Sequence, residues 1–281
     1  MKDFKVPFKN ERINPHFVVL TGSRLYGYST PTSDYDYRGF IIPPDEDKYG
    51  LINFNHYCGT GDTTIYSLKE FINQLIKGNT QIWECLFAPE QNIIVNSDAF
   101  KYLYENYTDL LSKKIIRSIL GFALAEWRKA RGVMQEIKYD SEDDEILLKK
   151  LYGRFQLDRT QISDILDIVY RNKDPRSEVI NLGVNKEHKD EINKFGYRPK
   201  SACNTIRLLS EGLQLAEDGK LHFPLENIDM YKNIRNGVWS LDEVTEIYNY
   251  LNNKLEQTKI NFPKNVNLNR ASQIYLDMIN N

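Results

Sequence analysis

The residues best suited to chemistry lie in the run Thr21-Gly-Ser-Arg-Leu-Tyr-Gly-Tyr-Ser-Thr-Pro-Thr-Ser-Asp-Tyr-Asp-Tyr-Arg-Gly39. Asp34 and Asp36 are two positions apart, and on a strand such residues face the same side. Both carboxylates then reach the same cation. Two like charges held that close are costly without a counter-ion. Magnesium suits the role, because it prefers hard oxygen ligands and combines one or two carboxylates with substrate phosphates. Gly22-Ser23 lies upstream, just after the apolar run His16 to Leu20. Small residues at a strand-to-turn junction let backbone N–H groups approach an anion, and a helix starting there adds a favourable field. The Ser23 hydroxyl and Arg24 would supplement that cradle. Alone, a Gly-Ser pair is an ordinary loop and an Asp-x-Asp pair an ordinary solvated strand. In the order apolar strand, Gly-Ser, spacer, Ser-Asp-x-Asp, they are the parts of a metal-assisted nucleotidyl transfer site.

Elements that could position these residues are legible nearby. His16 to Leu20 reads as a strand, and Tyr35 to Ile42 as a second that ends at Pro43-Pro44. Thr63 to Tyr66 is β-branched and aromatic. The period then changes: Leu68, Phe71, Ile72 and Leu75 recur at helical spacing, and Gly78-Asn79 ends the segment, with Asn79 suited to a left-handed C-cap. Ile82 to Phe87 reads as a short helix stopped by Pro89. From about Asp98 the pattern is mostly helical. One helix spans Ile115 to Trp127 and another Ile146 to Tyr170, behind the acidic stretch Ser141 to Glu145. Residues 171–199 read as loop with a short helix. Ser201 to Glu217 is helical up to Gly219, and Ser240-x-x-Glu243 is a capping box. The expected fold class is α+β, a small mixed β-sheet with flanking helices followed by a helical C-terminal domain. The expected domains are 1–110 and 111–281.

Composition narrows the class. The 281 residues carry 37 basic and 39 acidic side chains, a net charge of −2. That balance argues against coating nucleic acid by charge alone, though not against a local basic groove. Three separated cysteines, Cys58, Cys85 and Cys203, suit neither a disulfide framework nor a zinc cage. No apolar run approaches the ~20 residues of a membrane span, and no signal-peptide core follows the N-terminal lysine. A cytoplasmic protein without a membrane partner is the expectation. The four histidines show no metal spacing.

Gly22-Ser23 with Asp34-x-Asp36 resembles the DNA polymerase β-type nucleotidyltransferase superfamily. The fuller pattern Gly-Ser-Arg-x-x-Gly followed by Ser-Asp-x-Asp-x-Arg-Gly is similar to one branch, the RNA repair pathway DNA polymerase beta family. The resemblance continues in Tyr66-Ser-Leu-Lys-Glu-Phe71, in Lys77-Gly-Asn-Thr-Gln-Ile-Trp-Glu-Cys-Leu-Phe87, and more weakly in Gly196 to Leu208. The chain departs from the pattern at Thr80, where proline is expected, and at Ser201 and Asn204, where histidines are expected.

The resemblance implies that Asp34 and Asp36 hold the metals and that a third carboxylate completes the set. Asp62, heading Asp62-Thr-Thr-Ile-Tyr66, is the candidate, against the plain reading of a turn aspartate after Gly59-Thr-Gly61. Nucleotide-binding candidates are Gly22, Ser23, Arg24, Arg38, Lys200 and Arg207. Arg38 shares the strand face of the two aspartates, as a phosphate contact or a structural ion pair. Lys200 and Arg207 are seven apart and could share a helix face, lining a phosphate cleft or facing solvent. Glu84 is an acceptor or ribose contact, or structural. The expected cofactor is magnesium, two ions, with manganese able to substitute. The expected partners are a nucleoside triphosphate, most simply ATP, and an RNA or tRNA acceptor. A protein or small-molecule acceptor and a nucleotide-binding module without turnover are the alternatives.

Overall fold

The computed structural model describes residues 4–8, 11–45, 54–131, 138–139, 178–179 and 186–280. The helix expected over 146–170 and the acidic stretch before it lie outside these residues. The chain divides into two compact units. One joins Met1–Trp127 to Pro199–Asn281, and the other is Arg128–Arg198.

The larger unit is built on a five-stranded mixed sheet. Strands β1 (Val6–Phe8) and β2 (Glu11–Ile13) form a separate antiparallel hairpin. Strands β3 (Phe17–Thr21), β4 (Asp36–Ile41), β5 (His56–Gly59), β6 (Thr63–Ser67) and β7 (Ile93–Val95) make the sheet, in the order β5-β6-β4-β3-β7. Only the central β4–β6 pair is parallel. The strand faces follow the period of two. Phe17 and Phe40 are register partners, and they pack with Phe71 and Phe100, Phe17 stacking on Phe100 at 3.9 Å. On the other face Val18, Ile41 and Ile65 pack with Val6 of the hairpin. Both faces are therefore apolar and covered, which holds the strand ends in fixed register.

The expected helices form with small boundary shifts. Helix α1 (Ser23–Tyr26) is a single turn after β3. Helix α2 (Leu68–Lys77) is capped by the Ser67 hydroxyl, which accepts from the Glu70 amide, and buries Leu68, Phe71, Ile72 and Leu75. Helix α3 (Thr80–Leu86) follows at once. The role expected of Asn79 is corrected here. Gly78 takes the left-handed C-cap position at φ 80°, where a side chain would meet the Ile115 backbone at 2.9 Å. Asn79 instead caps the N-terminus of α3, its side chain accepting from the Gln81 amide. Helices α4 (Asp98–Glu105) and α5 (Lys113–Ala130) follow.

In the second unit β8 (Lys138–Tyr139) pairs with β9 (Glu178–Val179), and α6 spans Lys186–Phe195. The C-terminal part of the first unit is helical: α7 (Pro199–Asp218), α8 (Ile228–Arg235), α9 (Leu241–Gln257) and α10 (Leu268–Asn280). The capping box at α9 is present, with Glu243 reaching back to the Ser240 amide at 2.7 Å. Among the described residues no helix is long and apolar enough to cross a membrane.

Candidate active site

Register brings two of the expected site residues, Asp36 and Asp62, to one end of the sheet. Thr21, the last residue of β3, pairs with Asp36, the first of β4. Asp36 lies one position before the Tyr37–Thr63 pair of β4 and β6, and Asp62 one position before it on the other strand. The Asp62 carbonyl accepts the Tyr37 amide at 2.8 Å. So Thr21, Asp36 and Asp62 stand side by side across three adjacent strands. Asp34 lies two residues upstream of Asp36, in the loop that enters β4.

The turn after β3 closes over this end. Gly22 has φ 67° and ψ −152°, a conformation that disfavours a side chain. A Cβ there would collide with Oδ2 of Asp36. The carboxylate therefore occupies the space that glycine leaves, directly against the turn. Thr21 Oγ1 donates to the Asp36 carbonyl at 3.2 Å. The turn and the strand are thus fixed to one another at the aspartate. The Leu25 and Tyr26 amides return to the Gly22 carbonyl, and Gly27 closes α1 in a left-handed conformation.

The electrostatics follow from this crowding. The Asp36 carboxyl is pushed above its usual value, first by burial, then by a hydrogen bond and like-charge repulsion from Asp62; Arg38 opposes the shift and Asp34 adds to it. Arg38 Nη2 pairs with Asp62 Oδ1 at 2.9 Å, and its Nη1 donates to the Asp62 and Tyr37 carbonyls at 3.0 Å. Arg38 thus reaches across β4 and β6 and partly offsets a concentration of negative charge. Among the described residues, no three His, Cys, Asp or Glu side chains converge closely enough to cage an ion by themselves.

Arg24 points at the neighbouring loop. Its Nη2 donates to the Ser33 carbonyl at 2.8 Å and its Nε to the Asp34 carbonyl at 3.2 Å, while its guanidinium lies 3.7 Å from the centre of the Tyr35 ring. Lys200 and Arg207 do not share an environment. Lys200 is exposed in the first turn of α7. Arg207 is buried, its Nη1 bound by Glu84 at 2.6 Å and by Glu211 at 2.7 Å, with its guanidinium 4.4 Å from the Tyr26 ring centre. Tyr26 in turn donates its hydroxyl to Glu84 at 2.6 Å. Burial raises the Tyr26 phenol well above its usual value, Arg207 opposes this, and the two carboxylates add to it. Glu211 is pushed up to about 8, first by burial, with Arg207 opposing and Glu84 adding to the shift. Glu84 thus takes the structural of its two readings, as part of a buried network that ends on α1.

Sequence reasoning missed Tyr26 and Glu211 as members of this network. The i, i+4 spacing of Arg207 and Glu211 was a usable signal; nothing local marked Tyr26. Ser201, at a position where a histidine was expected, is buried; Asn204, at the other, donates to Glu126 at 3.4 Å.

A mixed sheet whose adjacent strand ends present aspartates beneath a Gly-Ser turn defines the class of arrangement. The family follows from comparison: a model of the RNA repair pathway DNA polymerase beta family matches residues 4–152. The chain belongs to that family, and membership points to nucleotidyltransferase-type function. An uncharacterized 38.9 kDa protein of Enterobacteria phage T4, from the nrdC-mobD intergenic region, is 27% identical over 115 residues. That match covers 36% of this chain and 34% of the phage protein, so the chain spans about a third of that relative's length. No solved structure matches the chain.

Proposed function

We propose that the protein is a magnesium-dependent nucleotidyltransferase that moves a nucleoside monophosphate from a nucleoside triphosphate, most simply ATP, to an acceptor hydroxyl. The observation that carries this reading is the Asp36 carboxylate packed against the Gly22 turn, with Asp62 at the matching position of the neighbouring strand. It puts a phosphate-cradle turn and paired carboxylates within one contact of each other.

The residues fit a hard divalent cation. The donors are carboxylate oxygens, and the raised proton affinity of Asp36 reflects burial and the like charge of Asp62 and Asp34, which Arg38 offsets only in part. Magnesium takes one or two carboxylates and keeps its other positions for water and substrate phosphate. When bound, such ions neutralise the charge on the phosphates and on the attacking and leaving oxygens. In this reading Asp34, Asp36 and Asp62 hold the ions, and manganese can replace magnesium. Gly22 and Ser23 offer amides and a hydroxyl to the triphosphate. Arg38 orients Asp62, which serves the acceptor side and favours loss of the acceptor proton. The acceptor oxygen forms a bond to the α-phosphorus, the α–β bridging bond breaks, and pyrophosphate leaves. Lys200 is exposed and available for phosphate; Arg207 acts from within the core. Residues 1–110 carry the chemistry and 111–281 the helical part.

The family description favours RNA as acceptor, with tRNA ends as the simplest case. A nucleotide-binding module without turnover is the second reading, favoured by Ser201 and Asn204 standing where the family pattern expects histidines. Incubation with magnesium, each labelled NTP and a small-RNA pool decides between them. Label on RNA that vanishes in the Asp34→Asn, Asp36→Asn double variant supports the proposal. NTP binding with neither label nor pyrophosphate supports the module. Label on protein keeps the chemistry and moves the acceptor.

A further inference from the structure

We infer that Arg24 is a positioning residue that latches the Ser33–Asp34 backbone and so sets where the Asp34 carboxylate stands. The inference deepens the reading above and rests on it for Asp34's role. The three aspartates are not held alike. Asp36 belongs to β4, and the Asp62 carbonyl is tied to β4 through the Tyr37 amide. Asp34 precedes β4 and has no register partner in the sheet. What holds its backbone is Arg24. Two N–H groups of one guanidinium edge donate to two successive carbonyls, Ser33 at 2.8 Å and Asp34 at 3.2 Å. One face of the same group lies 3.7 Å from the Tyr35 ring, and that ring is parallel to Tyr37 within 15°. A small turn behind it, with the Ser33 amide on the Thr30 carbonyl and the Thr30 amide on Ser33 Oγ, fixes the loop's other side.

The arrangement needs arginine. A planar fork can span two adjacent carbonyls and stack on a ring at once, whereas an ammonium is a point charge on a flexible stem. The Nε–Nη2 edge, one of the two forks that can grip a phosphate, is already occupied. Arg24 leaves α1 one residue after Ser23, so a single short turn carries both the phosphate cradle and the latch on Asp34. Gly22 shapes the space for Asp36 from the same turn.

Hydrogen exchange on the ligand-free chain tests the latch without any activity. In Arg24→Ala and in Arg24→Lys, amides over 30–37 should exchange roughly tenfold faster than wild type, two hydrogen bonds being lost or weakened, with β3 protection unchanged. Unchanged exchange overturns the latch. Manganese binding in the presence of a non-hydrolysable ATP analogue, read by electron paramagnetic resonance, tests its purpose. We expect about tenfold weaker manganese binding in Arg24→Ala at an unchanged melting temperature. Unchanged manganese affinity with a raised KM for the NTP would assign Arg24 to the phosphates and refute positioning. A wild-type chain that transfers no nucleotide would refute the proposed function, while the exchange result still decides the latch.

Discussion

Replacing Arg207 by alanine should be among the most damaging single changes to the fold. The substitution removes the only cation that pairs with Glu84 or Glu211 among the described residues, and both carboxylates are 1% exposed. Breaking a buried pair by removing one partner costs roughly 3–5 kcal/mol, because a charge is left without compensation. For a unit of this size about 2–4 °C accompanies each kcal/mol, so the melting temperature should fall by roughly 6–20 °C. Glu211→Gln should be far milder, because Arg207 still neutralises Glu84. Its effect should appear in the pH dependence. Glu211 sits near 8 when folded against 4.5 when free. Between those values the folded state holds a proton that the unfolded state has lost. Stability from this group is therefore complete below the lower value and declines as pH rises through the upper, by at most ~1.4 kcal/mol per pH unit. Thermal melts by circular dichroism between pH 5 and 9 should show the wild type losing stability relative to Glu211→Gln across that window. Parallel curves for the two proteins, or an Arg207→Ala melt within 2 °C of wild type, would refute the account of the buried network.

Gly22→Ala should strain the turn, at about 1–3 kcal/mol, and push Asp36 aside. A displacement of about 1 Å at the chemistry can cost ~100-fold in rate, so transfer should drop far more than the melt shifts; a variant with wild-type turnover would refute the packing argument. Ser240→Ala should remove the α9 capping box, cost about 1 kcal/mol and lower the melting temperature by a few degrees, with turnover of the correctly folded protein unchanged.

Part of the site was legible because Gly22-Ser23 and Asp36 lie within one run, and strand periodicity around Phe17 and Phe40 is strong. Asp34, expected on the same strand face as Asp36, lies instead in the loop before β4, so the period of two does not place it. Short elements escaped. The β1–β2 hairpin has three residues per strand, β5 alternates without an apolar signal, and β7 is three residues long. Asn79 was assigned to the wrong helix end, because Asn suits both a left-handed C-cap and an N-cap and only the close approach of Ile115 to Gly78 decides between them. Spacing alone also says nothing of depth: Lys200 and Arg207, seven residues apart, lie at similar azimuths of one helix, yet Lys200 is exposed in its first turn and Arg207 is buried. The Tyr26–Glu84–Arg207 network joins residues 58 and 123 positions apart, and no window of sequence contains it.

The discontinuity of the larger unit sets an order of events during synthesis. The turn at Gly27 packs against Pro224 and Ile228, and the Tyr26 carbonyl accepts the Leu225 amide. The ribosome makes the turn that carries α1 early and its packing partners about 200 residues later. At 5–20 residues per second that is a wait of roughly 10–40 s, during which Tyr26 and Glu84 lack Arg207. A nascent chain ending between residues 62 and 199 would carry every aspartate of the proposed site and none of the helical segment against which α1 rests. Premature termination before residue 199 should therefore yield a product cleared by proteolysis rather than a smaller enzyme.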